Sequence, residues 1–214
     1  MANGKPFDLK KHLPSTGFAV ILLLVLAAFG GIFIFAGVYN IGADAPHSSV
    51  VFGLLQEFRE KAVAHHARNI AVPRDLNATK RIAAGAGLYN EMCTGCHLGP
   101  GIERSELSQG LYPSAPELAR GDDLTPAEQF WVIKHGVKLT AMPSWGKTHD
   151  DELIWDMVAF IQQLPKMSAE QYKSAVASAP EDHQEIMEHM RAADHPAPSQ
   201  PHSHSIPTTE VHHH

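Results

Sequence analysis

Cys93 and Cys96 are the whole thiol complement of this 214-residue chain, and His97 stands directly behind the second. Two thiols three positions apart, followed at once by an imidazole, form the pattern C-x-x-C-H. Its first reading is covalent attachment of c-type haem, in which both thiols add to porphyrin vinyl groups and the next imidazole ligates iron. Two rival chemistries ask for more than the chain offers. A structural zinc site takes four ligands, and no second cysteine pair exists to complete one. A redox-active dithiol belongs beside a βαβ pattern, and no alternating strand pattern of useful length is readable here.

An iron held by His97 has a sixth position to fill, and its occupant decides between electron transfer and chemistry at the metal. Among the seven methionines, Met142 stands apart. Met92 adjoins the attachment motif on the wrong side, Met157 lies on the apolar face of a predicted helix, and Met167, Met187 and Met190 fall outside the expected core. Met142 lies in "GVKLTAMPSWG", between two predicted helices, where Pro143 restricts the backbone and Trp145 can wall off a site. His135 is the rival ligand and would give a bis-His centre of lower potential. Its helical setting makes contact with a propionate, or simple exposure, more natural.

These residues must be positioned by helices. "NATKRIAAGAGLYNEM", running from Asn77 to the first cysteine, is alanine-rich and predicts a helix that carries the motif at its end. Gly85 in its middle costs about 1 kcal/mol relative to alanine, which a second helix crossing closely over the missing side chain would offset. "DLTPAEQFWVIKHG" predicts a helix with Thr125 as its cap, Pro126 in its first turn and Gly136 as its stop. "HDDELIWDMVAFIQQLP" predicts another, with an acidic first turn, Ile154, Met157, Val158 and Ile161 on its apolar face, and Pro165 ending it. The fold class expected is all-α.

Residues 18–39, "FAVILLLVLAAFGGIFIFAGVY", contain no charge and as a helix span roughly 33 Å, enough to cross a bilayer. Lys5, Lys10 and Lys11 precede this run, so residues 1–17 are expected on the cytoplasmic side and the remainder across the membrane. The localisation this implies is a bacterial inner membrane, crossed once, with the haem domain in the periplasm. Ala43 and Ala45 form a small-x-small pair of the kind that marks a cleaved signal peptide, but the apolar run exceeds the usual length and Pro46 would come directly after the cut.

In residues 40–76 an amphipathic helix is expected, with Val51, Leu54, Leu55, Phe58 and Ala62 as its apolar stripe and Pro73 closing it off. Because its polar face is not notably basic, the stripe is expected to pack on the domain rather than lie on a membrane. The folded domain is placed at residues 77–165. Residues 166–214 form a C-terminal extension of two short helices and a disordered, His-rich tail. Eight of the fifteen histidines fall in that extension, including His202, His204 and His212 to His214. Neutral imidazoles bind copper or zinc, which makes a copper-handling role an alternative, although the terminal run also has the form of an expression tag. The net charge of −6, without a clustered excess of Lys and Arg, argues against nucleic acid as a partner.

Residues 77–165 resemble the single-haem class I cytochromes c in their membrane-anchored form. In that family a glycine lies eight positions before the first cysteine and an aromatic residue four before it; Gly85 and Tyr89 stand there. The family's C-terminal helix crosses at that glycine with an aromatic, for which Phe160 is the match. A Pro-x-Leu segment after the haem loop is similar to "APELA", which implies that the carbonyl of Pro116 accepts the Nδ1 proton of His97 and so fixes the imidazole and raises its basicity. The methionine loop resembles Met142, Pro143 and Trp145, which implies His/Met ligation. Together these imply one covalent haem c and a one-electron carrier rather than an enzyme. The partner implied is a membrane redox complex such as a quinol-oxidising complex, a dehydrogenase or a terminal oxidase. "GPGIERSELSQGLYPS" departs from the family pattern, and no ring of lysines for docking is evident. The competing function is a haem enzyme or a gas or peroxide sensor, if Met142 leaves the iron readily.

Overall fold

The computed structural model describes residues 15–180, and among these every regular element is a helix or a short 3-10 turn. The all-α expectation holds. The predicted second post-domain helix and the His-rich tail fall in 181–214, outside the described residues.

The chain divides after His47 into two units. The first contains α1, Thr16–Phe35, whose N-terminus is capped by the Ser15 hydroxyl accepting from the Phe18 N–H. None of its side chains is buried, and it is long and apolar enough to cross a membrane. It stops short of residue 39 because Gly37 takes a left-handed φ of 62°, a conformation that ends helices.

The second unit holds, in chain order, α2 (Ser49–Ala67), α3 (Thr79–Met92), α4 (Thr94–His97), α5 (Glu106–Gly110), α6 (Pro126–His135), α7 (Asp151–Ile161) and α8 (Ala169–Ala177). Its centre is the pair α3 and α7. Ile154, Met157, Val158 and Phe160 of α7 are fully buried, and they meet Ala86, Leu88 and Tyr89 of α3 in one core. The crossing is close because Gly85 has no side chain: a β-carbon there would lie 2.6 Å from the carbonyl carbon of Asp156 and 2.9 Å from Cβ of Phe160. At the edge of the same crossing, Arg81 of α3 donates to Asp75 (2.9 Å), Glu152 (2.7 Å) and Asp156 (2.8 Å).

Helix α6 starts as its sequence predicts. The Thr125 hydroxyl accepts from the Glu128 N–H while the Glu128 carboxylate accepts from the Thr125 N–H, and Pro126 fills the first position. It joins α7 through Phe130 and Trp155, whose rings stack at 4.2 Å. Helix α7 is capped by Asp150 and ends at Ile161; Pro165 sits beyond it, in the 3-10 turn Leu164–Lys166.

Two expectations about the flanks need correction. The packed body is wider than residues 77–165, because Val63, Ala67 and Leu76 on one side and Tyr172 on the other are buried. The stripe expected to pack the amphipathic helix does not do so: Leu54 and Phe58 are 70% and 73% exposed. Helix α2 reaches α6 only with its last turns, where Val63 and Ala67 are buried and His66 stacks on Trp131 at 5.4 Å. Its buried positions lie on the side away from Leu54 and Phe58, since residues three or four apart share a helix face.

Candidate cofactor site

Helix α3 delivers the cysteine motif. Cys93 caps it, its N–H bonded to the Tyr89 carbonyl at 2.9 Å, and the single turn α4 carries the chain through Cys96 to His97. The Thr94 hydroxyl ties that turn to α3 by donating to the Asn90 carbonyl at 2.6 Å. Neither cysteine is in a disulfide; Cys93 is buried and Cys96 partly exposed. Burial pushes the Cys93 thiol up to about 12, so it stays protonated at neutral pH.

His97 is oriented as the resemblance implies. Its Nδ1 donates to the Pro116 carbonyl at 2.9 Å, since a carbonyl oxygen can only accept. Leu118, two residues on, is buried and anchors the segment that presents this carbonyl. Burial lowers the His97 pKa below its ordinary value, against the opposing effect of the Pro116 bond. A neutral imidazole with Nδ1 committed has Nε2 left for a metal.

The residue after the ligand is strained. Leu98 is buried with φ 60° and ψ −169°, a region essentially reserved for glycine, at a cost on the order of 1–3 kcal/mol. It is held by its own N–H bonding the Thr94 carbonyl at 3.0 Å and by the buried Tyr89 hydroxyl donating to its carbonyl at 2.6 Å. Desolvation raises the Tyr89 phenol far above its usual value, so it remains a donor. Helix α8 braces the next residue: a β-carbon on Gly99 would lie 3.1 Å from Cζ of Tyr172, and the Tyr172 hydroxyl donates to Asn90 Oδ1 at 3.0 Å. Tyr89, Phe160 and Tyr172 form a contiguous aromatic group, with ring centroids 5.6 to 6.5 Å apart.

Neither Leu98 nor Tyr172 is legible in the sequence as a site residue. The one available signal is the Ser168 to Gln171 capping box that starts α8, and it announces a helix without saying where that helix docks.

The methionine loop is bracketed from several sides. Gly136 ends α6 with φ 66°, and a β-carbon there would meet the Met142 carbonyl oxygen at 2.7 Å. The Val137 N–H donates to that same oxygen at 3.2 Å. The Thr140 hydroxyl accepts from the Met142 N–H at 3.1 Å while donating to the Val137 carbonyl at 2.8 Å. Ser144 donates to the Lys134 carbonyl at 2.8 Å. Met142 and Trp145 are half-buried against the core, and the Trp145 ring stands edge-on to His149 at 5.5 Å.

His135, the rival ligand, belongs to a different neighbourhood. Its exposed ring lies 5.0 Å from Trp131, and it lines a recess of about 460 Å³ with His66, Lys134 and Asp151.

The donor set therefore suits a covalently attached haem. It offers two free thiols at the attachment spacing, an imidazole with one nitrogen committed, and a methionine whose main chain is held by a separate loop. Zinc finds less support, because no group of three or more His, Cys, Asp or Glu among the described residues could hold a metal ion.

Residues 80–161 match the family described as cytochrome C oxidase, cbb3-type, subunit III. The matched stretch runs from the start of α3 to the end of α7 and includes Cys93, Cys96, His97, Pro116, Met142 and Trp145. No curated protein and no solved structure matches the chain.

Proposed function

From the premise that residues 80–161 form a class I c-type cytochrome domain binding haem c covalently, we propose that the chain is a membrane-tethered carrier of single electrons. Cys93 and Cys96 would hold the haem covalently, and His97 and Met142 would ligate its iron. When bound, the haem supplies the one-electron centre. The protein residues set its ligation and surroundings. The neutral imidazole of His97 and the uncharged thioether of Met142 would favour the ferrous state more than anionic ligands would, and an apolar shell that includes Trp145 would add to that preference. The midpoint potential is therefore expected to be positive.

The observation that carries this reading is the bracketing of Met142, with Thr140 on its N–H and Val137 on its carbonyl. A methionine whose main chain is held on both sides would keep its side chain available to the iron in both oxidation states, so electron transfer would require little rearrangement of these residues. The same restraint weighs against a gas sensor or peroxide enzyme, which needs an open position at the metal.

Helix α1 serves in this reading as the anchor, with the haem domain on the periplasmic side of a bacterial inner membrane. The natural partners are a membrane dehydrogenase or quinol-oxidising complex as donor and a terminal oxidase as acceptor. The function is tested by adding carbon monoxide to the reduced, and cyanide to the oxidised, full-length holoprotein at neutral pH. Slow and partial binding is the expected result. Rapid binding to most of the haem would overturn the carrier in favour of the sensor or enzyme.

A further inference from the structure

Helix α2 has two faces with different uses, and the domain accounts for only one of them. Val63 and Ala67 are buried near its C-terminal end. Towards its N-terminal end Val50, Leu54 and Phe58 are 78%, 70% and 73% exposed, and Val51 and Leu55 are 40% and 45% exposed. At 3.6 residues per turn these five fall on one side of the helix. Isolated exposed apolar residues are ordinary, but a continuous stripe of five marks a surface with a partner.

We propose that the N-terminal half of α2, residues 49–58, lies in the interfacial layer of the bilayer that α1 crosses, with this stripe turned into the lipid. The proposal rests on the reading of α1 as an anchor. Three observations select lipid over other occupants. Only residues 36–48 separate α1 from α2, so α2 begins within about 45 Å of chain from the end of α1 even when that connector is fully extended. Residues 49–56 carry no charge, so the stripe offers nothing complementary to a charged protein surface. A second copy is the poorer occupant, because a seam over residues 49–58 is far shorter than the roughly three to four heptads over which helices pair by themselves.

The charges next along the helix set the lipid class. Glu57, Arg59, Glu60 and Lys61 balance one another, and Lys61 pairs with Glu57 at 3.4 Å. Attachment thus draws on apolar burial and needs no anionic headgroup. Phe58 supplies the large aromatic side chain that interfacial helices insert. A domain held at α1 by one tether and at α2 by a second is restricted in the orientations it presents to a membrane-bound redox partner.

The test uses full-length holoprotein, in which haem attachment consumes both native cysteines, so that one added cysteine can be labelled with a nitroxide. Leu54→Cys, Phe58→Cys, Gln56→Cys and Leu23→Cys variants are reconstituted in phosphatidylcholine vesicles. With the haem kept reduced, accessibility to oxygen and to a polar nickel chelate is measured by electron paramagnetic resonance power saturation. Labels at 54 and 58 should favour oxygen, the label at 56 should favour nickel, and the label at 23 should be shielded from nickel altogether. Nickel-accessible labels at 54 and 58 beside a shielded label at 23 would overturn this proposal alone. A nickel-accessible label at 23 would overturn the anchor and the proposal with it. Spin–spin broadening at 54 and 58 that disappears on dilution with unlabelled protein would assign the stripe to a second copy and overturn the lipid assignment.

Discussion

Gly85 and Asp156 meet backbone to backbone, with only 2.6 Å between the position of a β-carbon on the glycine and the carbonyl carbon of the aspartate. This contact sets how closely α3 approaches α7, and through α3 it sets the position of Cys93.

Replacing that glycine gives a result whose sign is diagnostic. In an open helix Gly85→Ala would gain about 1 kcal/mol. Here the added carbon must displace main chain, so the substitution is expected to cost about 3 kcal/mol, at the upper end of overpacking. Denaturant unfolding of the holoprotein reads the difference, and a gain in stability would contradict the close crossing.

Tyr172 stands outside the segment matched to the cytochrome family, yet it packs on Gly99 and on the rings of Tyr89 and Phe160. Tyr172→Ala should cost about 3–5 kcal/mol, as for other buried aromatics cut to alanine. Tyr172→Phe, which removes only the bond to Asn90, should cost about 1 kcal/mol. Hydrogen exchange at the amides of Leu98 and Gly99 should accelerate in the alanine variant. Unchanged exchange there would mean that α8 does not brace the attachment loop.

The Arg81 cluster predicts a pH dependence. Its hydrogen bond to Asp75 holds that carboxyl below its ordinary 3.8, so the stabilisation is present above the unfolded-state value and is lost as pH falls through the lower folded value. Asp156 behaves oppositely. Burial outweighs Arg81 and raises its pKa, so the folded state binds the proton more tightly and gains relative stability as pH falls through that raised value. Asp75→Asn should therefore lose less stability than the unsubstituted protein on acidification from about pH 5 to pH 3. Parallel losses in the two proteins would show that Asp75 makes no such contribution.

Thr140 contributes both a donor and an acceptor to the methionine loop. Thr140→Val keeps the shape and removes both bonds, worth about 1–2 kcal/mol. The rate of cyanide binding to the oxidised holoprotein should rise roughly tenfold, the factor that corresponds to about 1.4 kcal/mol in the population of the open loop. An unchanged rate would relieve Thr140 of any part in holding Met142.

The features legible in the sequence are those whose physics is local in the chain. Thr125, Pro126 and Gly136 mark the ends of α6 because caps and stops act on adjacent peptide groups, and Ile154, Met157 and Val158 mark the buried face of α7 by spacing alone. Gly85 is legible as an anomaly, because a costly residue in mid-helix demands a neighbour. The face of α2 that packs is not the one its periodicity predicts. Periodicity shows that a helix has an apolar side without showing what covers it, and the residues that in fact reach α6 are Val63 and Ala67. Leu98 is invisible in the sequence because nothing about a leucine announces a positive φ, and the tyrosine that holds it acts from nine positions away.

The central proposal is His97 and Met142 on one covalently held iron, and it is most directly tested by the near-infrared absorption of the ferric holoprotein beside its Met142→Ala variant. The expected result is a weak iron–sulfur charge-transfer band in the unsubstituted protein that is absent from the variant. A band that survives Met142→Ala, or no band in either protein, would contradict the ligation.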